Sequence, residues 1–473
     1  MTPTFLSSLR QQLPQGSLLL PHDGGFDESL QRWSLTCVKP AAAVALPKTA
    51  EQVSAVVKFA AANGIAFNVK GGGHSTAHAS SAPSPEGMVI DLSLMRDVNV
   101  DANSKTVSFG GGCVWKDIDE ACWEHGLATV GGTVSHTGVG GLVLHGGFGV
   151  LMGLYGTSID VLVSCRLVLA NGSIVTASEE ENPDLFWAIR GAGSSFGVVT
   201  EFTMKAFPQS DVFGGVLVLP MNNLPTVVDF INMWDKTNDG SQSFRTGFCR
   251  APAAPGADPD VVRPWVLFVH LFHFGDNAEE AGQKYFAPLL KLEPLMKKVG
   301  RMPYPSINQI GDKTWAPGRR YLFGGSNFTT PLELSTATTI RDQFTDFVDA
   351  NPEAKGSMFM FECYPNEATG KVPAEATAFN SRGNYYNVGT AWTWQNEALD
   401  EKIRENNRQY QKNIREMGYN DAELSDGTGQ YLNYTNVENI APRTVFGSNT
   451  DRLRKLKQKY DPLNVFDKPH KLN

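Results

Sequence analysis

The chain has 473 residues, 41% hydrophobic and 19% charged, with a net charge of −8. That length exceeds one ordinary core and implies roughly two to three domains, while the lack of a basic block argues against a nucleic-acid partner and leaves a small molecule as the expected one. The opening segment MTPTFLSSLRQQLPQGSLLL lacks the parts of a secretory signal and no run is long and apolar enough to span a bilayer, so a cytoplasmic, membrane-free protein is expected, and a monomer.

In chain order, residues 41–70 read as a βαβ unit. Thr49 and Gln52 have capping-box spacing, Val53, Val56, Val57 and Ala60 mark one helical face, Gly64 stops the helix, and Ile65–Val69 forms the next strand. That strand delivers the loop VKGGGHSTAH, Val69 to His78, at its carboxyl end, where α/β sheets usually hold ligands. Gly71, Gly72 and Gly73 lack a Cβ, so their backbone can approach a large ligand with its N–H groups turned to phosphate oxygens, and Lys70 can add charge beside them. His74 and Ser75 then stand at the edge of whatever the glycines hold.

From Met88 to Phe207 short β-rich runs alternate with glycine clusters, and Asn171-Gly172 between two such runs signals a hairpin. The segment 131–160 carries Gly138, Gly140, Gly141, Gly146 and Gly149, and a third loop, RGAGSSFGVVTEF, carries Gly193, Gly197 and Val198. Together these loops can wrap an extended phosphate-bearing cofactor, although none matches a dinucleotide G-x-G-x-x-G or a P-loop. Glycine thins over residues 208–424, where strands such as WVLFVHLFHF and MFMFECY alternate with helical stretches at Ala278–Val299, Ser335–Ala350 and Asn396–Met417. The boundaries expected are therefore 1–207, an inserted α+β domain at 208–424, and a return at 425–473 ending in a basic helix, Asp451–Tyr460. The segment GQYLNYTNV reads as a strand with Tyr434 and Leu432 on one face and Tyr431 and Asn433 on the other.

His74, His136 and His145 could meet at one ligand, but no His/carboxylate spacing supports a metal, and the six cysteines show no metal or redox spacing either, so no metal is expected. His136 is read as bordering the cofactor, and His270 and His273 as core histidines.

The motifs GGGHS, TVSHTGVGGLVLHGGFGVLMGLYG, NPDLFWAIRGAGSSFGVVTEF, YLNY and KYDPLNVF follow one another in the order found in the berberine bridge enzyme-like FAD-linked oxidases of the vanillyl-alcohol oxidase superfamily, which this chain resembles. The resemblance implies an α+β fold: a two-subdomain PCMH-type FAD-binding domain with an inserted substrate domain of antiparallel sheet backed by helices. It implies FAD joined covalently through His74, and no second bond, because Val134 stands where many relatives have a cysteine. Thr137 falls where the family has a small residue thought to gate oxygen, which favours dioxygen as electron acceptor and hydrogen peroxide as product. Tyr434 matches the tyrosine that often acts as base; a phenol needs a lowered pKa and a nearby cation or donor for that work. Asn387 stands where several relatives have a carboxylate, so Glu362 and Tyr364 on MFMFECY become candidate replacements, against the plainer reading of Glu362 as an exposed strand-edge residue. The expectation is an oxidase acting on a small organic substrate, such as an aromatic, an alcohol or a secondary metabolite. A dehydrogenase, an oxidative cyclase, a carbohydrate oxidase and a flavin carrier without turnover are the alternatives.

Overall fold

Helix and strand alternate from the start of the chain in the computed structural model, which describes residues 3–77, 81, 84–252, 256, 258, 261–418, 431–434, 440–467 and 471–472. His78, Gln430, Thr435 and the expected boundary at 424/425 lie outside the described residues. A first sheet has the order β1-β2-β4-β3, in which β1 (Leu18–Leu19) runs antiparallel to β2 (Ala43–Ala45), while β2 and β3 (Phe67–Lys70) both run parallel to β4 (Met88–Asp91). The helix Ala50–Ala62 makes the crossover and buries Val53, Val56, Val57 and Ala60. Gln52 N–H donates to Thr49 Oγ1 at 3.3 Å, as the spacing implies, but Gln52 Oε1 accepts from Lys48 N–H, at 2.8 Å, one residue before the expected partner. β3 starts at Phe67 because Ile65 N–H closes the helix end on Ala60 O at 2.9 Å, with Gly64 at φ +62°.

The next strands are β5 (Val98–Asp101), β6 (Thr106–Gly110), β7 (Leu127–Ala128), β8 (Leu162–Val168), β9 (Ile174–Ser178), β10 (Val198–Lys205) and β11 (Phe207–Pro208). Five of them form an antiparallel sheet, β5-β6-β10-β8-β9, and β7 pairs with β11. Asn171-Gly172 turns β8 into β9 with Gly172 at φ +78°, a value that favours glycine.

A third, seven-stranded sheet follows the order β15-β12-β14-β13-β17-β18-β16 and is antiparallel throughout. Its members are β12 (Val212–Pro220), β13 (Gln242–Arg250), β14 (Trp265–His273), β15 (Met296–Met302), β16 (Arg320–Phe328), β17 (Met358–Cys363) and β18 (Tyr386–Trp394). Helices Leu224–Thr237, Leu334–Asp349 and Asp400–Gly418 cover one face, where Trp234, Phe344 and Tyr410 pack on Phe244, Phe248, Phe359 and Phe361. Strand alternation turns Arg245, Met360 and Glu362 to the other face. No helix among the described residues is long and apolar enough to cross a membrane.

Two expected elements differ. The helical stretch Ala278–Val299 ends early: helix Ala278–Tyr285 and a short turn Ala287–Leu290 are followed by edge strand β15. Pro294 cannot continue a helix, and Leu295 N–H joins Val218 O at 2.7 Å, starting the pairing with β12. The segment around Tyr434 is a 3₁₀ turn, Leu432–Tyr434, rather than a strand. Tyr434 N–H closes on Tyr431 O at 3.0 Å, which brings the two rings together edge-on at 4.9 Å instead of sending them to opposite faces.

Candidate active site

A cavity of about 760 Å³ lies where the glycine loops meet the helix-free face of the seven-stranded sheet. Lys70, Gly71, Gly72, Gly73, His74 and Ser75 line it in unbroken succession, because the chain leaves β3 there without a side chain to close the gap. Val134, Thr137, Gly138, Gly140 and Gly141 line it from the second loop, Gly197 and Val198 from the third, and Asn433 and Tyr434 from the 3₁₀ turn.

The glycines divide by task. A Cβ on Gly72 would sit on the backbone of Gly138, at 2.5 Å from its Cα, and the reverse substitution is as tight, so these two loops touch main chain to main chain. Gly73 takes φ +67° to turn His74 inward. Gly146, Gly149 and Gly193, read from the sequence as cofactor contacts, are not on the cavity wall; they make room for Phe379, Gly131 and Leu144 respectively. Their glycine identity answers interior packing. Lys70 is on the wall, yet its Nζ donates to Asp91 Oδ2 and to Ser29 O, both at 3.0 Å, so its charge is directed to Asp91.

His74 is held by a column of rings that sequence reading missed. Tyr321 stacks on Trp33 at 4.1 Å, and Trp33 stacks on His74 at 4.2 Å with planes 10° apart. Trp33 N–H also donates to Gly73 O at 3.0 Å, which ties the column to the loop. His74 Nε2 lies 3.1 Å from His136 Nδ1, and desolvation together with that neighbour pushes the His74 pKa down to about 3, so the imidazole is neutral. His136 itself supports His74 from behind and is not part of the wall. His145 joins Gly141 O at 2.9 Å and Ser194 Oγ at 2.8 Å, apart from the other two histidines, and no group of three or more possible metal ligands occurs among the described residues. None of the six free cysteines is on the wall.

The sheet contributes a polar row. Register places His270 on β14 opposite Arg245 on β13, Arg245 opposite Glu362 on β17, Glu362 opposite Asn387 on β18, and Asn387 opposite Asn327 on β16. Residues paired this way share a face. Arg245 Nε donates to His270 Nδ1 at 2.9 Å, Arg245 Nη1 to Thr133 Oγ1 at 3.0 Å, and Asn327 Nδ2 to Asn387 Oδ1 at 3.1 Å. Glu362, far from an exposed edge residue, is 2% exposed on an inner strand, and its Oε1 accepts from the Tyr434 hydroxyl at 2.8 Å. Burial pushes the Glu362 pKa up to about 7, against the opposing pull of the Tyr434 hydrogen bond and Arg245.

Tyr434 departs from the expectation of a lowered pKa: burial and the Glu362 carboxylate beside it hold its phenol well above 10. The donor role of its hydroxyl explains this, since ionising it would face one anion with another. Tyr364 is buried just past the end of β17, beside Arg245 and Thr133 but outside hydrogen-bonding geometry with either, and burial raises its pKa also. Tyr364 and Asn387 border a smaller neighbouring cavity with Glu362 instead of the main one. Asn433 Nδ2 donates to Leu142 O at 3.0 Å and to Tyr431 Oη at 2.9 Å, pinning the 3₁₀ turn to the second glycine loop.

Residues 41–178 match the family described as FAD binding domain, and residues 430–472 match the family described as Berberine and berberine like. The FAD-linked oxidoreductase hasG of Aspergillus fumigatus is 32% identical, over 97% of each chain, and the FAD-linked oxidoreductase pgmH of Aspergillus terreus is 31% identical, over 98% of this chain and 94% of that one. The structure of wild-type BBE-like 1 from Physcomitrella patens superposes with a TM-score of 0.82 at 20% identity, covering 99% of both chains. The site fits such a cofactor: among the described residues the N–H groups of Gly71, Gly72, Gly73 and His74 find no protein acceptor, and the cavity they open into has the size of a large ligand site. The chain belongs to the berberine bridge enzyme-like FAD-linked oxidoreductases.

Proposed function

We propose that the protein is an FAD-dependent oxidase that removes a hydride from a small organic substrate, with dioxygen reduced to hydrogen peroxide, and that FAD is joined to the chain through His74 alone. The observation that carries this reading is the Tyr434–Glu362 hydrogen bond of 2.8 Å in the cavity that His74 also lines. FAD, when bound, supplies the hydride acceptor and the route of electrons to dioxygen.

Glu362 is the net proton acceptor, taking the hydrogen of the Tyr434 hydroxyl. Its pKa of about 7 suits a base working near neutral pH. Tyr434 passes the proton on: its oxygen receives the substrate's proton as its own hydrogen moves to Glu362 Oε1, so the phenol never needs to ionise alone. Tyr364 and Asn387 border the neighbouring space and support Glu362 without meeting substrate. Val134 on the wall, and the absence of cysteines from it, support a single linkage. Thr137 on the wall, a small β-branched residue, supports access of dioxygen.

Anaerobic addition of candidate alcohols and phenols to the purified holoenzyme tests the reading. A substrate should bleach the flavin, and admitting air should restore its colour with one hydrogen peroxide per flavin. Recolouring only with an artificial acceptor would make the protein a dehydrogenase, and failure of every candidate to bleach it would favour a flavin carrier.

A further inference from the structure

Arg245 is the one member of the polar row for which neither the fold nor the proton relay gives a sufficient reason. It is 4% exposed, at the centre of the seven-stranded sheet, and it lines the main cavity. Its two protein acceptors are both neutral: the Thr133 hydroxyl, and the Nδ1 lone pair of His270, whose pKa burial and Arg245 hold well below 6.5. Nη2 donates no hydrogen bond among the described residues, and no carboxylate there lies within ion-pairing distance of the guanidinium. A buried guanidinium that no carboxylate hydrogen-bonds or ion-pairs is costly, even with the Glu362 charge on the next strand, and a structural arginine normally has such a bonded partner. The pair Arg382–Asp160 in this same chain, at 2.6 Å, shows what that looks like.

Two neutral acceptors fix the plane of the guanidinium and leave its remaining edge to the cavity. Beside it on the same face are Met360 and Glu362, and the cavity that all three line is also walled by Phe323, tilted on Tyr434 at 4.7 Å, and by Trp33 and Phe148, so the space the cation opens into is largely apolar and aromatic. We infer that Arg245 is an oxyanion site, and that the substrates of this enzyme carry an acidic oxygen, a phenol or enol on an otherwise apolar body, whose anion Arg245 holds.

The inference rests on the reading of Glu362 as proton acceptor and completes its charge balance. The substrate O–H bond breaks, its proton goes to Tyr434 Oη while the Tyr434 proton goes to Glu362 Oε1, and the electron pair stays on the substrate oxygen. No oxidation occurs in this step. Before it, the negative charge near Arg245 is on Glu362; after it, Glu362 is neutral and the negative charge is on the substrate. The cation thus keeps a counter-charge throughout, which an alcohol or sugar of ordinary acidity would not provide.

Binding measurements without turnover test this separately from the oxidase reading. Holoenzyme titrated with benzoate, and separately with its neutral isostere benzamide, should show benzoate binding by calorimetry about tenfold or more tighter. Arg245→Gln should remove that preference with benzamide binding unchanged, and Arg245→Lys should restore part of it. Bound 4-nitrophenol should show its phenolate absorption at a pH below its own pKa in water, in the wild type and not in Arg245→Gln. The groups facing Glu362 are Arg245, Tyr364, Tyr431 and Tyr434, of which only Arg245 is charged near neutrality, so protonating Glu362 frees the cation: benzoate should bind more tightly as pH falls through about 7, and equally at both pH values in Glu362→Gln. Equal affinity for benzoate and benzamide in the wild type overturns the proposal without any variant. So does benzoate binding that is unchanged in Arg245→Gln or unchanged across pH in the wild type.

Discussion

The two walls of the cavity are built by opposite strategies. On the glycine side the wall is one stretch of chain: residues 70–76 line it consecutively, and the histidine that faces the cavity is two residues from the glycine that lets its loop meet the next. On the sheet side the wall residues Arg245 and Glu362 belong to a row, His270, Arg245, Glu362, Asn387 and Asn327, drawn from strands β14, β13, β17, β18 and β16, whose order in space is not their order in the chain. A local wall is fixed by backbone conformation and tolerates little change at its glycines. A wall assembled by register holds together through hydrophobic packing on the opposite face, which leaves its polar residues free to be chosen for chemistry.

That contrast is sharpest at His74. His74→Ala should leave FAD fully dissociable after acid precipitation, whereas the wild type should keep it and yield flavin only on the peptide containing His74. Quantitative release of FAD from the wild type, or a flavinylated cysteine peptide, would break the claim that the glycine wall alone makes the covalent attachment.

The sheet wall should show its weight in rate rather than retention. Glu362→Gln and Tyr434→Phe should keep the flavin and slow anaerobic reduction by about 10²–10⁴-fold, the usual worth of general-base help. Because Glu362 must be ionised to accept the proton, the wild-type rate should rise as pH increases through about 7, and Glu362→Gln should lose that rise. Stopped-flow traces for Glu362→Gln with a wild-type rate and pH profile would remove the sheet wall from the chemistry.

Gly72→Ala and Gly138→Ala should separate the two touching loops at a cost of about 1–3 kcal/mol, visible as a lower melting temperature. Gly141, on the same wall, has nothing within 4 Å of a Cβ, so Gly141→Ala should not lower it. If all three substitutions melt alike, close approach is not what the glycines serve.

The smallest effect concerns Asp119, outside both walls, buried beneath the second glycine loop and accepting from Asn308 Nδ2 at 2.7 Å. Asn308 O in turn accepts from Ser135 N–H at 2.9 Å, which anchors that loop. Burial pushes the Asp119 pKa from 3.8 up to about 7, so the folded state holds a proton that the unfolded chain loses between those values, and stability contributed by the protonated form declines as pH rises through that window. Asp119→Asn keeps an acceptor and removes the charge. It should gain on the order of 1–2 kcal/mol at pH 8 relative to the wild type and much less at pH 4, read from denaturant melts. An equal change at both values would show that the carboxyl does not titrate with folding.

What was legible in the sequence followed the same division. Thr49, Gly64 and Asn171-Gly172 act on neighbours a few residues away, and their elements formed as expected, with shifts of a residue or two where a backbone N–H found a different acceptor. Pro294 interrupts the helical stretch expected at Ala278–Val299, and the strand it precedes exists because β12 supplies the partner. Gly146, Gly149 and Gly193 carried the same composition signal as Gly72, although their neighbours are interior side chains and backbone rather than the cavity, and composition cannot tell these apart.

By itself the sequence determined the fold class, the family motifs and the glycine loop that carries His74, because each rests on residues adjacent in the chain. Only the tertiary structure decided that Tyr434 is a donor in a 3₁₀ turn rather than an ionised base on a strand, that Glu362 is buried on an inner strand, and that Arg245 stands beside it. Those facts depend on register across strands separated by more than a hundred residues and on the desolvation that follows from it, and neither has a local signature.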